Sequence, residues 1–350
     1  MDLKALGWDL YKKSLPENID EENIARVAVE NRGSYLLYAE SGELEGIIQG
    51  KFMRSAESEA DYPKVGDWVI TEKLRGEDKA VIKSILPRKT KISRKRAGED
   101  VAEQIIAANV DIVFIVQGLD GDFNISRLER YVAMSKEGGC EPVIILNKAD
   151  LIADAQAKLE EVSQKISGVR IFPVSAQNGQ GVEDVRKLIQ EGSSVVFVGS
   201  SGVGKSTLVN ALLGMEAQKT QEVRFDDSRG RHTTTKREIL LLPSGGVLID
   251  TPGMRELGLW ASQEALGETF DDIKIFAQHC KFNDCDHTQS AGCAVLKALQ
   301  EGKIDHKRYD NFIKLSGSLD HFQAKKERKE AWALKRKQIS IARKQYSGKK

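Results

Sequence analysis

The most informative stretch of the chain is Gly199-Ser200-Ser201-Gly202-Val203-Gly204-Lys205-Ser206, which follows the apolar run Val195–Val198 and precedes Thr207–Leu213. It fits the pattern G-x-x-x-x-G-K-[ST] between a predicted strand and a predicted helix. Glycines let such a loop curl so that its N–H groups point at phosphate oxygens, at the positive end of the next helix. Lys205 can reach the β- and γ-phosphates, and the Ser206 hydroxyl can ligate Mg²⁺. The alternative is a glycine-rich turn with a surface lysine, but the flanking strand and helix favour a nucleoside triphosphate site.

Composition is that of an ordinary soluble globular protein, with 40% apolar and 30% charged residues. A chain of 350 residues has room for two or three domains. No run approaches the roughly 18 apolar residues of a membrane span. Charged residues also interrupt Met1–Leu10, so this segment lacks the apolar core of a signal peptide. We therefore expect a cytoplasmic protein.

The net charge of the whole chain is only +1, but its C-terminal segment is strongly basic. From Lys325 to Lys350 there are eleven Lys and Arg residues against two Glu. A second basic run, Pro87–Arg96, follows the predicted barrel described below. Such runs are usually solvated, and contact with nucleic acid phosphates is the alternative.

The chain divides into segments of different pattern. Residues 1–21 are predicted to be a polar lead-in with at most one helical turn. Residues 22–88 contain five short alternating runs, which predict a small all-β barrel, either an OB-fold or a barrel without a ligand. Residues 89–260 alternate strands with helices, which predicts a mostly parallel α/β sheet. Residues 261–338 are predicted to be mainly helical, and 339–350 a disordered basic tail.

A second motif, Asn147-Lys148-Ala149-Asp150, ends a predicted strand, at the edge where α/β sheets place ligands. An aspartate there can accept hydrogen bonds from N1–H and the exocyclic amine of guanine, whereas adenine has no proton on N1. Asn147 supplies an amide, and the stem of Lys148 can lie over the base. Four residues alone are a weak match. Ser175-Ala176 follows the next strand, and its N–H groups are expected to meet the guanine oxygen, which makes the motif specific.

Two further segments are typical of the switches of a GTPase. Asp250-Thr251-Pro252-Gly253 ends a predicted strand, so that Asp250 would hold Mg²⁺ through water and the Gly253 N–H would sense the γ-phosphate. Arg229–Thr235 lies between the phosphate loop and that strand. One of its threonines should complete the Mg²⁺ coordination. Thr234 is favoured, although the neighbouring threonines leave the register open by one residue.

Three of the four cysteines lie within fourteen residues, in the pattern Cys280-x4-Cys285-x-His287-x5-Cys293. Three thiolates and one imidazole suit a closed, tetrahedral zinc site, which is structural because no coordination position remains for water. His279 is a competing ligand, but the tighter spacing favours His287. Three reduced cysteines close together by coincidence are the remaining alternative. The fourth cysteine, Cys140, is expected to pack in the α/β domain.

The guanine motif precedes the phosphate loop, whereas ordinary GTPases have the opposite order. In this order, with a barrel before and a Cys/His cluster after, the chain resembles the RsgA (YjeQ/EngC) family of circularly permuted GTPases over essentially its whole length. The resemblance implies an OB-fold barrel, His287 as the fourth zinc ligand, and a role in late maturation of the small ribosomal subunit. It also implies GTP hydrolysis stimulated by that particle, contact with its rRNA, and Mg²⁺ bound with GTP.

Met254 stands where ordinary GTPases have a water-orienting glutamine after Gly253, so intrinsic turnover is expected to be slow. His232 is the best replacement for positioning water, because imidazole can donate or accept a hydrogen bond near pH 7. A histidine that only orders its loop is the alternative. The predicted catalytic residues are therefore His232, Lys205 and Thr234.

The predicted ligands fall into three sets. The GTP-binding residues are Asn147, Lys148, Ala149, Asp150, Ser175, Ala176, Gly199, Ser200, Ser201, Gly202, Val203, Gly204, Lys205, Ser206, Thr207, Asp250 and Gly253. The magnesium ligands are Ser206, Thr234 and Asp250, and the zinc ligands are Cys280, Cys285, His287 and Cys293.

The predicted function is GTP hydrolysis on the small ribosomal subunit, coupled to release of the protein, by a monomer that binds no membrane. An RNA-binding assembly chaperone that uses GTP as a structural ligand is the main alternative. A small-molecule kinase with a phosphate loop is a third possibility, which the guanine motif and Asp250-Thr251-Pro252-Gly253 oppose.

Overall fold

The structure is a computed structural model and describes residues 1–15, 21–31, 33–50, 52, 56, 58–95, 103–214, 237–250, 263–319, 324 and 328. The chain divides into two compact units. One comprises Met1–Arg94 and Glu103–Leu259, and the other comprises Lys95–Ala102 and Trp260–Lys350. The barrel and the α/β sheet thus belong to the same unit.

The barrel is closed by five strands, in the order β1-β2-β3-β5-β4 with β4 pairing back onto β1. They are β1 (Ile24–Glu30), β2 (Tyr35–Ala39), β3 (Gly42–Ile48), β4 (Trp68–Lys73) and β5 (Lys79–Ile85). Only the β3–β5 pair is parallel. The interior is apolar and is formed by alternate residues such as Val27, Leu37, Val69 and Ile82. This strand order is that of a five-stranded OB-type barrel.

The α/β sheet has the order β10-β9-β8-β11-β13-β12. Its strands are β8 (Ile112–Gly118), β9 (Glu141–Asn147), β10 (Arg170–Pro173), β11 (Ser194–Val198), β12 (Glu238–Leu241) and β13 (Val247–Asp250). All neighbours are parallel except β12 and β13, which form an antiparallel pair. Because the parallel strands run the same way, the residues that follow β8, β9, β10, β11 and β13 lie along one edge of the sheet.

Helices cover both faces of this sheet. They are α2 (Ile125–Glu137), α3 (Ala155–Lys165), α4 (Val182–Leu188) and α5 (Lys205–Leu212), after the single-turn α1 (Trp8–Tyr11). Strand β8 alternates between the two faces: Val113 and Ile115 pack with α2 and α3, whereas Phe114 and Val116 pack with α4 and α5. Short 3₁₀ turns occur at Lys12–Ser14, Glu21–Asn23, Glu59–Asp61 and Ala149–Leu151.

The barrel and the α/β sheet are joined edge to edge. Strand β1 pairs with β12 at Val29 and Glu238, which makes one sheet of eleven strands. Arg26, also on β1, is buried and donates a hydrogen bond of 2.7 Å to Ser194 Oγ of β11. Its guanidinium lies 5.2 Å from the ring centroid of Trp68. The two parts of the unit therefore share backbone and side-chain contacts.

The N-terminal residues differ from the predicted polar lead-in. Leu3, Leu6, Trp8 and Tyr11 are buried in a cluster with Trp68 and other barrel residues. The apolar residues lie on one side of a turn and α1, and the charged residues between them point outward. The start of the chain is thus part of the barrel core.

The basic run after the barrel is not a simple linker. Lys91–Lys95 forms β6, which pairs with β7 (Glu103–Ala108) in a two-stranded sheet that the sequence did not predict. Lys91 forms an ion pair with Glu103 at 2.6 Å, and the Arg94 Nε donates to Gln104. These partners limit the contact with nucleic acid that was the alternative interpretation of the run.

The side chain of Arg88 forms its hydrogen bonds with residues of the barrel segment. Its guanidinium donates to both oxygens of Asp67, at 2.8 and 2.7 Å, and to the carbonyls of Ala60 and Tyr62. The side chain of Asp67 is 0% exposed. Burial raises the pKa of Asp67, and Arg88 opposes that shift. The pair is therefore a buried ion pair rather than a solvated surface contact.

Arg88→Ala is expected to lower the free energy of unfolding by about 3–5 kcal/mol, because it leaves the carboxylate of Asp67 buried without its partner. Arg170→Ala is the control, since its ion pair with Glu141 is about half exposed and is worth roughly 0–1 kcal/mol. Urea titrations followed by tryptophan fluorescence measure both variants, and Trp8 and Trp68 report on the barrel. Equal losses in the two variants would contradict the buried-pair interpretation.

The second unit is helical. Its helices are α6 (Gln263–Thr269), α7 (Asp271–Ala277), α8 (Ala294–Gln300) and α9 (306–319). This agrees with the mainly helical segment predicted for 261–338, in which Phe270 separates α6 from α7 and is buried against Phe312. Beyond residue 319, the predicted helical segment lies outside the described residues, apart from 324 and 328. No helix in the described part of the chain has the length and hydrophobicity that a bilayer span needs.

Candidate nucleotide site and metal centre

The predicted nucleotide motifs lie at one edge of the sheet. Strand β9 ends at Asn147, β11 ends at Val198 immediately before the phosphate loop, and β13 ends at Asp250. The residues after β10 form the Ser175-Ala176 turn. The parallel arrangement therefore places segments that are distant in sequence along one edge of the sheet.

The phosphate loop (Gly199–Ser206) needs its glycines. Gly199, Gly202 and Gly204 have φ values of 147°, 81° and 91°. A Cβ on Gly199 would lie 2.2 Å from the Val116 carbonyl oxygen, so only glycine fits where the loop passes β8. The Lys205 ammonium donates to the carbonyls of Gly199 and Ser200, at 2.8 and 2.6 Å. Lys205 is thus held across the loop at whose N–H groups phosphates would bind.

Asn147 connects three of the predicted motifs. Its side chain is buried, and its Nδ2 donates to the Val203 carbonyl of the phosphate loop at 2.8 Å. Its Oδ1 accepts from the Ala176 N–H at 3.0 Å. One carboxamide therefore fixes the phosphate loop and the Ser175-Ala176 turn in relation to the strand that carries Asp150.

Gly204→Ala is expected to disturb this connection. The added Cβ would lie 2.2 Å from the Asn147 Nδ2, at a φ that disfavours alanine. Displacing a buried amide costs about 1–3 kcal/mol for each group left without a partner, so we expect GTP binding to weaken roughly 10- to 100-fold. Titration with a fluorescent GTP analogue measures this. Gly214→Ala is the control, because Gly214 also has a positive φ (72°) but has no neighbour within 4 Å. Equal affinities of the two variants would contradict the prediction.

The guanine motif leaves the strand through a tight turn. Lys148 has a φ of 64°, and Ala149–Leu151 forms a 3₁₀ turn that places Asp150 at the surface. The Lys148 ammonium lies 2.5 Å from Asp120 Oδ2. This hydrogen bond lowers the pKa of Asp120, which therefore stays charged. The carboxylate of Asp150 is accessible to a base, beside a lysine stem that is held in place.

The Ser175 and Ala176 N–H groups, which were predicted to meet the guanine oxygen, already donate hydrogen bonds within the protein. The Ser175 N–H donates to the Gln180 carbonyl at 2.9 Å, and the Ala176 N–H donates to Asn147. Both donors therefore have acceptors inside the protein. A guanine oxygen would have to share the Ala176 donor with the Asn147 carboxamide, and Ser175 contributes to the shape of the turn instead.

One contact of the phosphate loop was missed by the sequence analysis. The Ser200 hydroxyl donates to Asp122 Oδ2 at 2.6 Å, and the guanidinium of Arg127 binds the same carboxylate. These hydrogen bonds, with the one from Arg127 first, lower the pKa of Asp122. Asp122 follows β8 at the edge that carries the other motifs. That position was the available signal, and it indicates a residue that supports the loop.

The structure describes some of the remaining residues that were predicted to bind the nucleotide. Ser206 and Thr207 lie in the first turn of α5, which begins at Lys205, and Asp250 ends β13 opposite Glu238 of β12. The other predicted residues of the switches, His232, Thr234 and Gly253, lie outside the described residues.

The four predicted metal ligands form a cluster in the helical unit. The ligand atoms of Cys280, Cys285, His287 and Cys293 all lie within 4.8 Å of one another. Cys280 Sγ is 3.9 Å from Cys293 Sγ, and His287 Nδ1 lies 3.5 and 3.6 Å from these two sulfurs. A tetrahedral zinc ion requires about 3.8 Å between sulfurs and about 3.6 Å between sulfur and nitrogen. The cluster includes His287 and not the competing His279, and its geometry fits such an ion.

Contacts around the cluster hold its ligands in place. The Leu296 N–H lies 3.4 Å from Cys293 Sγ at the start of α8, and the Tyr309 hydroxyl donates to the His287 carbonyl at 2.8 Å. Burial lowers the pKa of His287, which favours the neutral imidazole that binds metals. Burial raises the pKa of the Cys293 thiol, so a bound cation would be needed to stabilise the thiolate. The ligand atoms of the cluster are therefore positioned so that they could bind a metal cation.

The family model described as RsgA GTPase matches residues 85–260. The model described as ABC transporter matches residues 182–345, a range that contains the phosphate loop but not Asn147–Asp150. The G-x-x-x-x-G-K-[ST] pattern of the phosphate loop occurs in several classes of nucleotide-binding protein, so this range alone does not distinguish them.

Relatives of similar length are called small ribosomal subunit biogenesis GTPase RsgA. RsgA 1 of Oceanobacillus iheyensis is 41% identical, over 96% of this chain and 96% of its own. RsgA of Leptospira interrogans is 38% identical, over 97% of this chain and 95% of its own. RsgA 2 of Vibrio parahaemolyticus is 45% identical, over 89% of this chain and 84% of its own.

Solved structures agree with these relatives. YjeQ from Thermotoga maritima superposes with a TM-score of 0.62 at 26% identity, covering 85% of this chain and 98% of that one. YloQ, described as a circularly permuted GTPase, has a TM-score of 0.61 at 22% identity. The superposition covers 88% of this chain and 98% of YloQ, which shows that the two proteins have the same fold. The predicted resemblance is thereby confirmed, and the chain belongs to the RsgA family of GTPases.

Proposed function

We propose that the protein is a Mg²⁺-dependent GTPase that acts in the biogenesis of the small ribosomal subunit. The observation that carries the proposal is the position of Asn147, whose carboxamide bonds to both the phosphate loop and the Ser175-Ala176 turn. A triphosphate cradle and a guanine selector thereby belong to a single pocket. The names of the relatives supply the particle on which such a GTPase acts.

In the proposed reaction, Lys205 and the N–H groups of the phosphate loop stabilise the charge that develops on the γ-phosphoryl group. Lys205 must exchange the carbonyls of Gly199 and Ser200 for phosphate oxygens when GTP binds. Ser206, Thr234 and Asp250 would hold Mg²⁺, which would neutralise charge on the phosphates. His232 would position the attacking water in place of the glutamine that Met254 replaces. Asp150 would select guanine.

The proposed division of labour follows the proposed domains: a lead-in (1–21), an RNA-binding barrel (22–88), the GTPase domain (89–260), a zinc domain (261–338) and a basic tail (339–350). Because Arg88, Lys91 and Arg94 have partners inside the protein, we assign electrostatic contact with rRNA mainly to the basic tail. The protein would act as a monomer in the cytoplasm, where ribosomal subunits mature. Hydrolysis would be stimulated by the particle and would promote release from it.

The metal in the Cys280/Cys285/His287/Cys293 cluster is proposed to be one structural Zn²⁺. Three thiolates and an imidazole are soft ligands that favour zinc over magnesium or calcium. A closed set of four ligands leaves no place for catalytic water. Zinc would therefore stabilise the helical unit and take no part in hydrolysis.

The proposal is tested by multiple-turnover GTP hydrolysis with added small or large ribosomal subunits. We expect small subunits to accelerate phosphate release and large subunits to have no effect. Lys205→Ala should abolish the activity, and His232→Ala should reduce single-turnover hydrolysis on the particle. Binding to small subunits without turnover would favour the chaperone that uses GTP as a structural ligand. Transfer of the γ-phosphate to an acceptor other than water would indicate a kinase.

A further inference from the structure

One row of residues crosses from the barrel to the proposed magnesium site. Val29 of β1 lies opposite Glu238 of β12, and Glu238 lies opposite Asp250 of β13. The barrel strand is therefore only two strands away from the carboxylate proposed to hold Mg²⁺. Since β12 is hydrogen-bonded between β1 and β13, a displacement of β12 relative to the barrel also displaces the end of β13.

A shared carboxylate reinforces this row. Glu30, the residue after Val29, places Oε1 2.7 Å from the Lys64 ammonium and Oε2 3.5 Å from the Arg237 guanidinium. The side chains of Lys64, Arg237 and Glu30 are 2%, 21% and 27% exposed. Because water screens these charges only weakly, their attraction is stronger than that of exposed pairs.

Arg237 directly precedes β12, so its ion pair fixes the start of that strand to the barrel. In sequence it follows the proposed magnesium ligand Thr234 by three residues. Lys64 belongs to the barrel and touches neither β12 nor β13 through this pair. The same carboxylate thus makes one contact that stabilises the barrel and another that reaches toward the nucleotide site.

We propose that Glu30 is a positioning residue for GTP hydrolysis: by holding Arg237 it fixes β12, and through the Glu238–Asp250 pair it fixes the carboxylate that binds Mg²⁺. The inference rests on the proposed Mg²⁺-dependent GTPase function. It gives a barrel residue a role in nucleotide chemistry. It also makes β1 the route by which a ligand bound to the barrel can change the rate of hydrolysis.

The test compares Glu30→Gln with Lys64→Met in the full-length protein. Lys64→Met removes the barrel side of the arrangement and leaves the Glu30–Arg237 pair. The half-saturating Mg²⁺ concentration for GTP hydrolysis is measured together with kcat and the melting temperature. A coupling of about 1–3 kcal/mol corresponds to a change of roughly 5- to 150-fold, and we expect Glu30→Gln to raise the Mg²⁺ requirement within that range.

Lys64→Met should lower the melting temperature but leave the Mg²⁺ dependence unchanged. Glu30→Asp, which keeps the charge, should recover part of the wild-type Mg²⁺ affinity. The inference is overturned if Glu30→Gln has the wild-type Mg²⁺ dependence, or if Lys64→Met shifts it equally. Absence of GTP hydrolysis in the wild-type protein would instead refute the proposed function, so the two failures are distinguishable.

Discussion

Replacing Cys285 by serine is expected to abolish metal binding and to unfold the C-terminal unit. The buried core of this unit is small: in its described part the buried apolar residues are Ala265, Leu266, Phe270, Ile273, Cys293, Val295, Ala298, Leu299, Ile304, Leu315 and Leu319. Binding of a structural zinc contributes about 10–16 kcal/mol in small zinc domains at pH 7. A core of this size cannot replace that contribution. Metal analysis and far-UV circular dichroism of the full-length variant measure the loss of zinc and of helix.

Cys140→Ala is the matched control. Cys140 is a buried cysteine of the other unit and lies outside the metal cluster. This variant should retain one zinc per chain and the helix signal of the wild type. A Cys285→Ser protein that keeps both would contradict the proposed role of Cys285 as a ligand of a structural metal.

The second large effect is expected for Asp150→Asn. A carboxylate that accepts from N1–H and the amine of guanine makes two charge-assisted hydrogen bonds, each worth about 1.5–3 kcal/mol. Their loss should weaken GTP binding roughly 10²- to 10⁴-fold. Xanthine has a carbonyl in place of the amine, to which the new amide can donate. Xanthosine triphosphate should therefore bind Asp150→Asn better than it binds the wild type, as measured by competition against a fluorescent GTP analogue.

Asp154→Asn is the control for this substitution. Asp154 lies four residues later, and its side chain caps α3 by accepting from the Ala157 N–H at 2.9 Å. Asparagine caps a helix about as well as aspartate. We expect this control to bind GTP like the wild type. An unchanged GTP affinity in Asp150→Asn would remove Asp150 from the proposed site.

Much of the α/β sheet could be predicted from local pattern. Strands β8, β9 and β11 are continuous apolar runs because both of their faces are covered, and their motifs follow directly at the strand ends. The metal cluster could also be predicted from the sequence, because four ligands within fourteen residues can meet without depending on the rest of the fold. The family resemblance rested on the order of these motifs, and the comparisons confirm it.

Features that depend on distant partners could not be predicted. Strand β7 has no alternating pattern of its own and is stabilised by pairing with β6. Arg88 was interpreted as one charge of a basic run because its partner, Asp67, lies twenty-one residues earlier in the sequence. The Ser175 and Ala176 N–H groups appeared available because their acceptors, the Gln180 carbonyl and the Asn147 side chain, are set by the folded turn. In each case the local residues were identified, but the partner is determined by tertiary structure.

The most direct test of the proposed pocket is a crystal structure with Mg²⁺ and a non-hydrolysable GTP analogue. We predict that both carboxylate oxygens of Asp150 lie about 2.7–3.0 Å from N1 and the exocyclic amine of the base. Lys205 should leave the carbonyls of Gly199 and Ser200 and bind phosphate oxygens. A base bound away from Asp150, while the phosphates occupy the loop, would contradict the claim that these two motifs form one site.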